Sequence, residues 1–131
     1  MTTDDCILKN LLAAARAACS HAYAPYSAFR VGAACLTSSG RIFSGANVEN
    51  ASYGLAICAE RAAIFNAIGA GDHELRAIAI YTPTAKPVSP CGACRQVICE
   101  FGSAIEIVAS CDADTLCSWT SSELLPDRFS L

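Results

Sequence analysis

The stretch "CAERAAIFNAIGAGDHELRAIAIYTPTAKPVSPCGACRQVICEFGSAIEIVAS", residues 58–110, decides the architecture. Cys58 to about Ile68 reads as a helix closed by "GAG", since a glycine just past a helix accepts the left-handed backbone of a C-terminal cap. "LRAIAIY" reads as a strand, and "TPTAKPVSP", with three prolines, as an exposed connection. Cys91 to about Phe101 is a second helix and "AIEIVAS" another strand. Helix and strand in alternation imply right-handed parallel crossovers.

The flanks complete the sheet. Residues 4–22 carry Ile7, Leu8, Leu11, Leu12 and Ala15 at helical spacing behind a capping Asp4 or Asp5. Pro25 breaks that pattern. "RVGAACLT" and "RIFSGAN" around "SSGR" form an antiparallel hairpin. "VENASYGLAI" has no steady period and reads as a loop or irregular crossing. "LCSWT" is a fifth strand and "SSELL" a short capped helical turn. The order α-β-β-α-β-α-β-β-α predicts an α/β domain over residues 1–131, with one mixed, about five-stranded sheet and helices on both faces. Ligands in such folds bind where strands hand over to helices.

Composition narrows the function. Of the 131 residues 53% are hydrophobic and 16% charged, against about 25% charged in typical soluble domains. A chain so apolar is expected to hide surface in subunit contacts. A net charge of −3 gives no footing for nucleic acid or an anionic membrane, so a small-molecule partner is expected. "MTTDDCILKN" is acidic where a signal peptide would be basic, and no apolar run is long enough to span a bilayer. The nine cysteines are odd in number, which favours a reducing cytoplasm, metal binding and buried thiols over a disulfide scaffold.

The cysteines near the two helix starts carry the chemistry. Cys91 and Cys94 are three apart just after Pro90, a residue favoured in the first helical turn, where unpaired N–H groups favour thiolates. Cys58 opens the other helix and is the obvious third ligand. His21 and His73 are poorly placed and are expected to face solvent. Three protein ligands leave one coordination position open, as catalytic zinc sites do. Glu60 suits a partner for water at that position, provided Cys58 lies at an irregular helix start, because residues two apart on a regular helix diverge. Arg61 follows Cys58 by three, and its guanidinium offsets the negative charge of three thiolates. A lone C-x-x-C also suits a redox pair. The remaining Cys6, Cys19, Cys35, Cys99, Cys111 and Cys117 are expected to be buried small hydrophobes. Trp119 is expected at the sheet edge or a subunit contact.

A Cys-x-Glu followed by Pro-Cys-x-x-Cys matches a zinc deaminase signature, in which the glutamate is acid and base but not a ligand. "YAPYSAFRVGAA", "GANVENASYG", "CAERAA", "PCGACRQV" and "ELLP..F" occur in order, and nearly the whole chain resembles the small, tetrameric, zinc-dependent cytidine deaminases. The resemblance implies a three-layer α/β/α sandwich, one zinc per subunit and a homotetramer with active sites at subunit interfaces. It implies hydrolytic deamination of cytidine and 2′-deoxycytidine in pyrimidine salvage. By the same resemblance Cys58, Cys91 and Cys94 hold zinc and Glu60 moves protons. Asn47 and Glu49 hold the ribose hydroxyl, Phe29 stacks on the base, and Ala59 lies among the substrate contacts. Ala51, Tyr53 and Phe129 reach a neighbouring subunit's site.

Three rival readings differ at named features. A blasticidin-type aminonucleoside deaminase lacks the ribose pattern "VENASYGLAI". A deaminase of nucleic acid needs a basic stretch, and the chain has none. A structural-zinc or redox module needs a fourth ligand or a redox-active pair, and leaves Glu60 unexplained.

Overall fold

The computed structural model describes residues 3–131. Helix α1 spans Asp5–Cys19, capped by the Asp4 carboxylate, which accepts from the Cys6 N–H at 2.9 Å. It stops at Ser20, short of the residue 22 that periodicity suggests. The chain then pairs elsewhere, the Tyr23 N–H donating to the Asn47 carbonyl at 2.9 Å. The buried face of α1 is Leu11, Ala15, Ala18 and Cys19, while Ile7, assigned to the stripe from sequence, is exposed.

Strands β1 (Gly32–Thr37) and β2 (Ile42–Ala46) form the expected hairpin, turned at Gly40 with its φ of 88°. β3 (Leu75–Tyr81), β4 (Glu106–Ser110) and β5 (Cys117–Thr120) complete a five-stranded sheet in the order β2-β1-β3-β4-β5. β3 and β4 are parallel; the other three pairings are antiparallel. Helix α2 (Ala59–Gly69) links β2 to β3, α3 (Gly92–Glu100) links β3 to β4, and α4 (Ser121–Leu124) is the short capped turn expected after β5, its cap being a box between Thr120 and Glu123. The loop reading of residues 48–57 is refined: Val48 pairs with both Tyr23 and Ile57, and Tyr53–Leu55 is a 3-10 turn.

The two sheet faces differ in side-chain size. Ala34, Leu36, Ala77 and Ala79 meet Leu11, Ala15 and Cys19 of α1 on one side. Ala33, Cys35, Ile78, Ile80 and Ile107 meet α2 and Ile98 of α3 on the other. The alternation is the period-two pleat of a sheet buried on both faces. The small-residue face lets α1 sit close: a Cβ on Gly32 would lie 1.9 Å from the Ala15 carbonyl oxygen. The expected layering of helices on both faces is present.

This topology sets the site. β2 and β3 both run antiparallel to β1, so they are parallel to each other, as are β3 and β4. Both connecting helices therefore run back across the same face in one direction, and their N-termini lie at the same end of the sheet. α2 ends in a Schellman motif, with Gly71 at φ 83° and the Asp72 N–H on the Ala67 carbonyl at 3.0 Å.

Candidate active site

Cys58 is the N-cap of α2 and Cys91 the N-cap of α3; both have extended backbone and neither side chain caps its helix. The sulfurs are thus free for other partners. Cys94 lies on the first turn of α3 and is buried, and Pro90 sits one residue before the cap, outside the first turn where sequence placed it. The Sγ atoms of Cys58, Cys91 and Cys94 all lie within 4.8 Å of one another. Cys58 and Cys91 are 3.8 Å apart, the edge length of a tetrahedron with metal–sulfur bonds of about 2.3 Å. The donor set therefore fits zinc.

The extended Cys58 also resolves the geometric condition on Glu60: the ligand leaves the chain before the helix begins, so residues two apart need not diverge. Glu60 is 5% exposed. Burial, with the Cys58 sulfur adding to it, pushes its carboxyl above the usual range. Arg61 donates from Nη2 to the Cys58 sulfur at 3.4 Å. Cys58 is drawn well below the ordinary thiol range, first by the Cys94 S–H and also by Arg61, although burial opposes both. The Arg61 Nε is buried and has no hydrogen-bond partner among the described residues. An orphaned donor beside clustered thiols suits a site built for thiolates, which are the stronger acceptors.

These groups open onto a cavity of about 380 Å³ at the C-terminal end of β3, where Ile80 and Thr82 form part of its wall. Cys58, Glu60, Arg61 and Cys91 line it, as do Phe29, Asn47, Glu49, Tyr53 and Ala59 from the sequence assignment. Cys94 lies behind the wall. Ala51 and Phe129 do not line this cavity in their own chain: Ala51 is exposed and Phe129 is 71% exposed. The Phe129 backbone is tethered, its carbonyl accepting from Gln96 Nε2 at 3.1 Å.

Asn47 and Glu49 are fixed by contacts that sequence could not reveal. Asn47, buried, donates from Nδ2 to the Phe29 carbonyl and accepts at Oδ1 from the Val31 N–H, both at 2.8 Å. Its amide splints the segment that carries Phe29, leaving one N–H and one lone pair for a ligand. Glu49 Oε1 accepts from the backbone N–H groups of Tyr26 (2.9 Å) and Ser27 (3.1 Å), and Oε2 accepts from the Ser27 hydroxyl. Those bonds, the Ser27 hydroxyl foremost, hold its carboxyl below the usual range and ionised. The Ser27 Oγ in turn accepts from the Phe29 N–H at 3.0 Å. Between them Ala28 adopts φ 59°, a left-handed conformation that costs a non-glycine residue about 1–2 kcal/mol. Strain of this kind persists where surrounding bonds over-determine the backbone.

Sequence reading did not single out several residues that also line the cavity, among them Val31, Ile57, Ile80, Thr82, Val88 and Ser89. Val88 and Ser89 belong to the three-proline segment read as an exposed connection, and no local pattern marks them. Of the cysteines expected in the core, Cys19, Cys35, Cys99 and Cys111 are buried, but Cys6 is exposed and Cys117 only half-buried. Both lie on surface-facing positions, Cys6 in the first turn of α1 and Cys117 on the edge strand. All nine thiols are free. His21 and His73 are exposed as expected. Trp119 packs from edge strand β5 against the core.

The family model for the cytidine and deoxycytidylate deaminase zinc-binding region matches residues 7–111. The chain belongs to the cytidine deaminase family. A cytidine deaminase of Halalkalibacterium halodurans is 48% identical over 118 residues, covering 82% of this chain and 83% of its own. One from Sporosarcina psychrophila is 44% identical over 94% of this chain and 91% of its own. Among solved structures, cytidine deaminase from Burkholderia pseudomallei superposes with a TM-score of 0.89 at 48% identity, covering 98% of this chain and 100% of that one. The three-layer fold and the zinc dependence are those of this family. Among the described residues no helix is long and apolar enough to cross a membrane.

Proposed function

We propose that this cytidine deaminase family member converts cytidine and 2′-deoxycytidine, with water, to uridine and 2′-deoxyuridine plus ammonia. The observation that carries the reading is the buried Glu60 beside three clustered sulfurs, in the same cavity as Asn47 and Glu49. Cys58, Cys91 and Cys94 hold zinc, one ion per subunit. The ion supplies a Lewis acid that eases the ionisation of water.

Glu60 provides the proton path. Its carboxylate takes a proton from the attacking water and delivers it to ring N3. The water oxygen bonds to C4, Glu60 takes the second proton from that oxygen and passes it to the amine, and the C4–N4 bond breaks to leave a C4 carbonyl and ammonia. A carboxyl kept above its usual range by burial suits both duties near neutral pH. Arg61 steadies the Cys58 sulfur. Asn47 and Glu49 take the ribose hydroxyl, a pairing that penalises a ligand lacking it, and Phe29 stacks on the base. Ala59 borders the pyrimidine.

Electrostatics favour a nucleoside over a nucleotide. Among the described residues the only cationic side chain lining the cavity is Arg61, which is bonded to Cys58, and Glu49 is anionic. A 5′-phosphate would find no free positive partner there. The net charge of −3 likewise opposes a nucleic-acid substrate.

A homotetramer with sites completed across subunits covers large apolar side chains that one chain leaves exposed. Tyr53, Leu55 and Phe129 are 80%, 73% and 71% exposed. Ala51, Tyr53 and Phe129 then reach a neighbouring site. The protein acts in the reducing cytoplasm, in pyrimidine salvage, a reading that its nine free thiols support. Ultraviolet monitoring of cytidine, 2′-deoxycytidine and cytidine 5′-monophosphate, with and without a zinc chelator, tests the reading. Turnover of the two nucleosides that stops with chelation supports it. No turnover by zinc-replete protein, or full turnover after proven zinc loss, overturns it. Mixing Glu60→Gln chains with chains truncated before Phe129 tests the shared sites. Activity above the sum of the two supports them; additive activity despite proven subunit exchange rules them out.

A further inference from the structure

The three-proline segment ends as one wall of the cavity and then delivers Cys91. Among the described residues, the 87–90 stretch makes no backbone–backbone hydrogen bond, and the only side chain that bonds to it is Arg95. Arg95 stands one residue past the buried Cys94, in the first turns of α3. Its guanidinium reaches three ways. Nε donates to the Pro90 carbonyl at 2.8 Å, Nη2 to the Ser89 hydroxyl at 3.1 Å, and Nη1 to the Leu124 carbonyl at 3.2 Å. Leu124 is the last residue of α4, so its carbonyl is one that a helix end leaves without an intrahelical donor.

The arrangement is more specific than surface charge pairing. A cation near a helix N-terminus opposes the helix dipole, so Arg95 occupies a position that does not favour its charge. The planar fork sets three donors in fixed relative directions, which a lysine cannot reproduce. Two of them converge on Ser89 and Pro90, the residues immediately before Cys91, and the third braces that corner against α4. Ser89 lines the cavity and Cys91 presents its sulfur there.

We propose that Arg95 is a positioning residue that fixes the Ser89–Cys91 corner against α4, setting both the Cys91 sulfur and the adjoining cavity wall. The proposal rests on the reading of Cys91 as a zinc ligand. Without the guanidinium, the corner keeps only its covalent link and the first turn of α3, and the Cys91 sulfur samples positions off the metal. Partners that orient metal ligands are worth about 10–100-fold in affinity or activity.

The test follows zinc release from the loaded protein to a chromogenic chelator, beside the kinetics of cytidine turnover. Arg95→Ala is expected to release zinc about ten- to a hundredfold faster and to lose kcat/KM by a comparable factor. Millimolar ethylguanidinium should recover part of both, and Arg95→Lys should fall between Arg95→Ala and the unsubstituted protein. Asp72→Asn, in the distant turn after α2, serves as a control for general destabilisation and should release zinc at the unsubstituted rate. Folded Arg95→Ala that holds zinc as tightly as the unsubstituted protein overturns the proposal. So does equal acceleration in a control matched for thermal stability. If Arg95→Ala does not fold, Arg95→Lys decides, and an unchanged release rate there overturns the proposal. Cys91→Ala is measured alongside: full zinc retention by that variant would defeat the ligand assignment itself, a separate failure.

Discussion

Replacing Glu60 by Gln separates chemistry from architecture. The substitution keeps the volume and the helical position in the first turn of α2, where the residue is 5% exposed. It removes the ability to accept and return a proton. General acid–base catalysis contributes roughly 10²–10⁴ in rate, or about 2.7–5.4 kcal/mol of barrier, and one carboxylate here serves several transfers. Turnover of cytidine should fall by at least about a hundredfold with zinc content unchanged, because Glu60 is outside the three-sulfur cluster. The stability effect has the opposite sign. Burial, then the Cys58 sulfur, raises the folded-state pKa of Glu60 above its unfolded value. Its folded state therefore favours the protonated carboxyl, and stability is lost as pH rises from the unfolded pKa, about 4.3, through the higher folded one. Glutamine never ionises. Denaturant unfolding in chelator should show Glu60→Gln gaining on the unsubstituted protein as pH is raised from 4 to 7.5. Retention of near-normal turnover would refute the proton-transfer role. A stability gap that closes with rising pH would refute the burial argument.

Asn47→Ala removes two 2.8 Å bonds that splint Phe29 and Val31. At about 1 kcal/mol each it should lower the denaturation midpoint, and KM for cytidine should rise at least tenfold by steady-state kinetics, with zinc retained. Gly32→Ala forces a Cβ to 1.9 Å from the Ala15 carbonyl oxygen. α1 must lift from the sheet, at about 1–3 kcal/mol, visible as a drop in Tm with no change in KM per folded molecule. Asp72 Oδ2 accepts from the Thr37 and Ser39 hydroxyls, each at 2.7 Å, and these hold its pKa below the ordinary value. Its stabilisation is present above the unfolded pKa and disappears as pH falls through the folded one. Asp72→Asn should thus flatten the acid limb of the stability curve while matching its alkaline side in shape.

The sequence by itself determined what depends on near neighbours along the chain. Asp4, Gly71 and the Thr120–Glu123 box mark helix ends because caps are made within a few residues. The order of strands and helices follows from apolar period and glycine or proline punctuation. Residue type alone restricted three cysteines and a glutamate to a small set of chemistries. The tertiary structure decided the rest. Cys58 meets Cys91 across 33 residues only because two crossovers of the same sense bring both helix starts to one end of the sheet. The amide of Asn47 and the carboxylate of Glu49 find partners 16 to 23 residues away, and the guanidinium of Arg95 reaches Leu124, 29 residues on. Nothing near them in the chain encodes those partners, because a hydrogen bond requires only that docked segments bring donor and acceptor together. The same limit explains the misplaced flanks. An amphipathic stripe includes Ile7 by spacing, yet Ile7 is exposed, as is Cys6 beside it, and Cys117 on its edge strand is only half-buried. Burial is a property of what packs on top, and that is fixed only when the layers assemble.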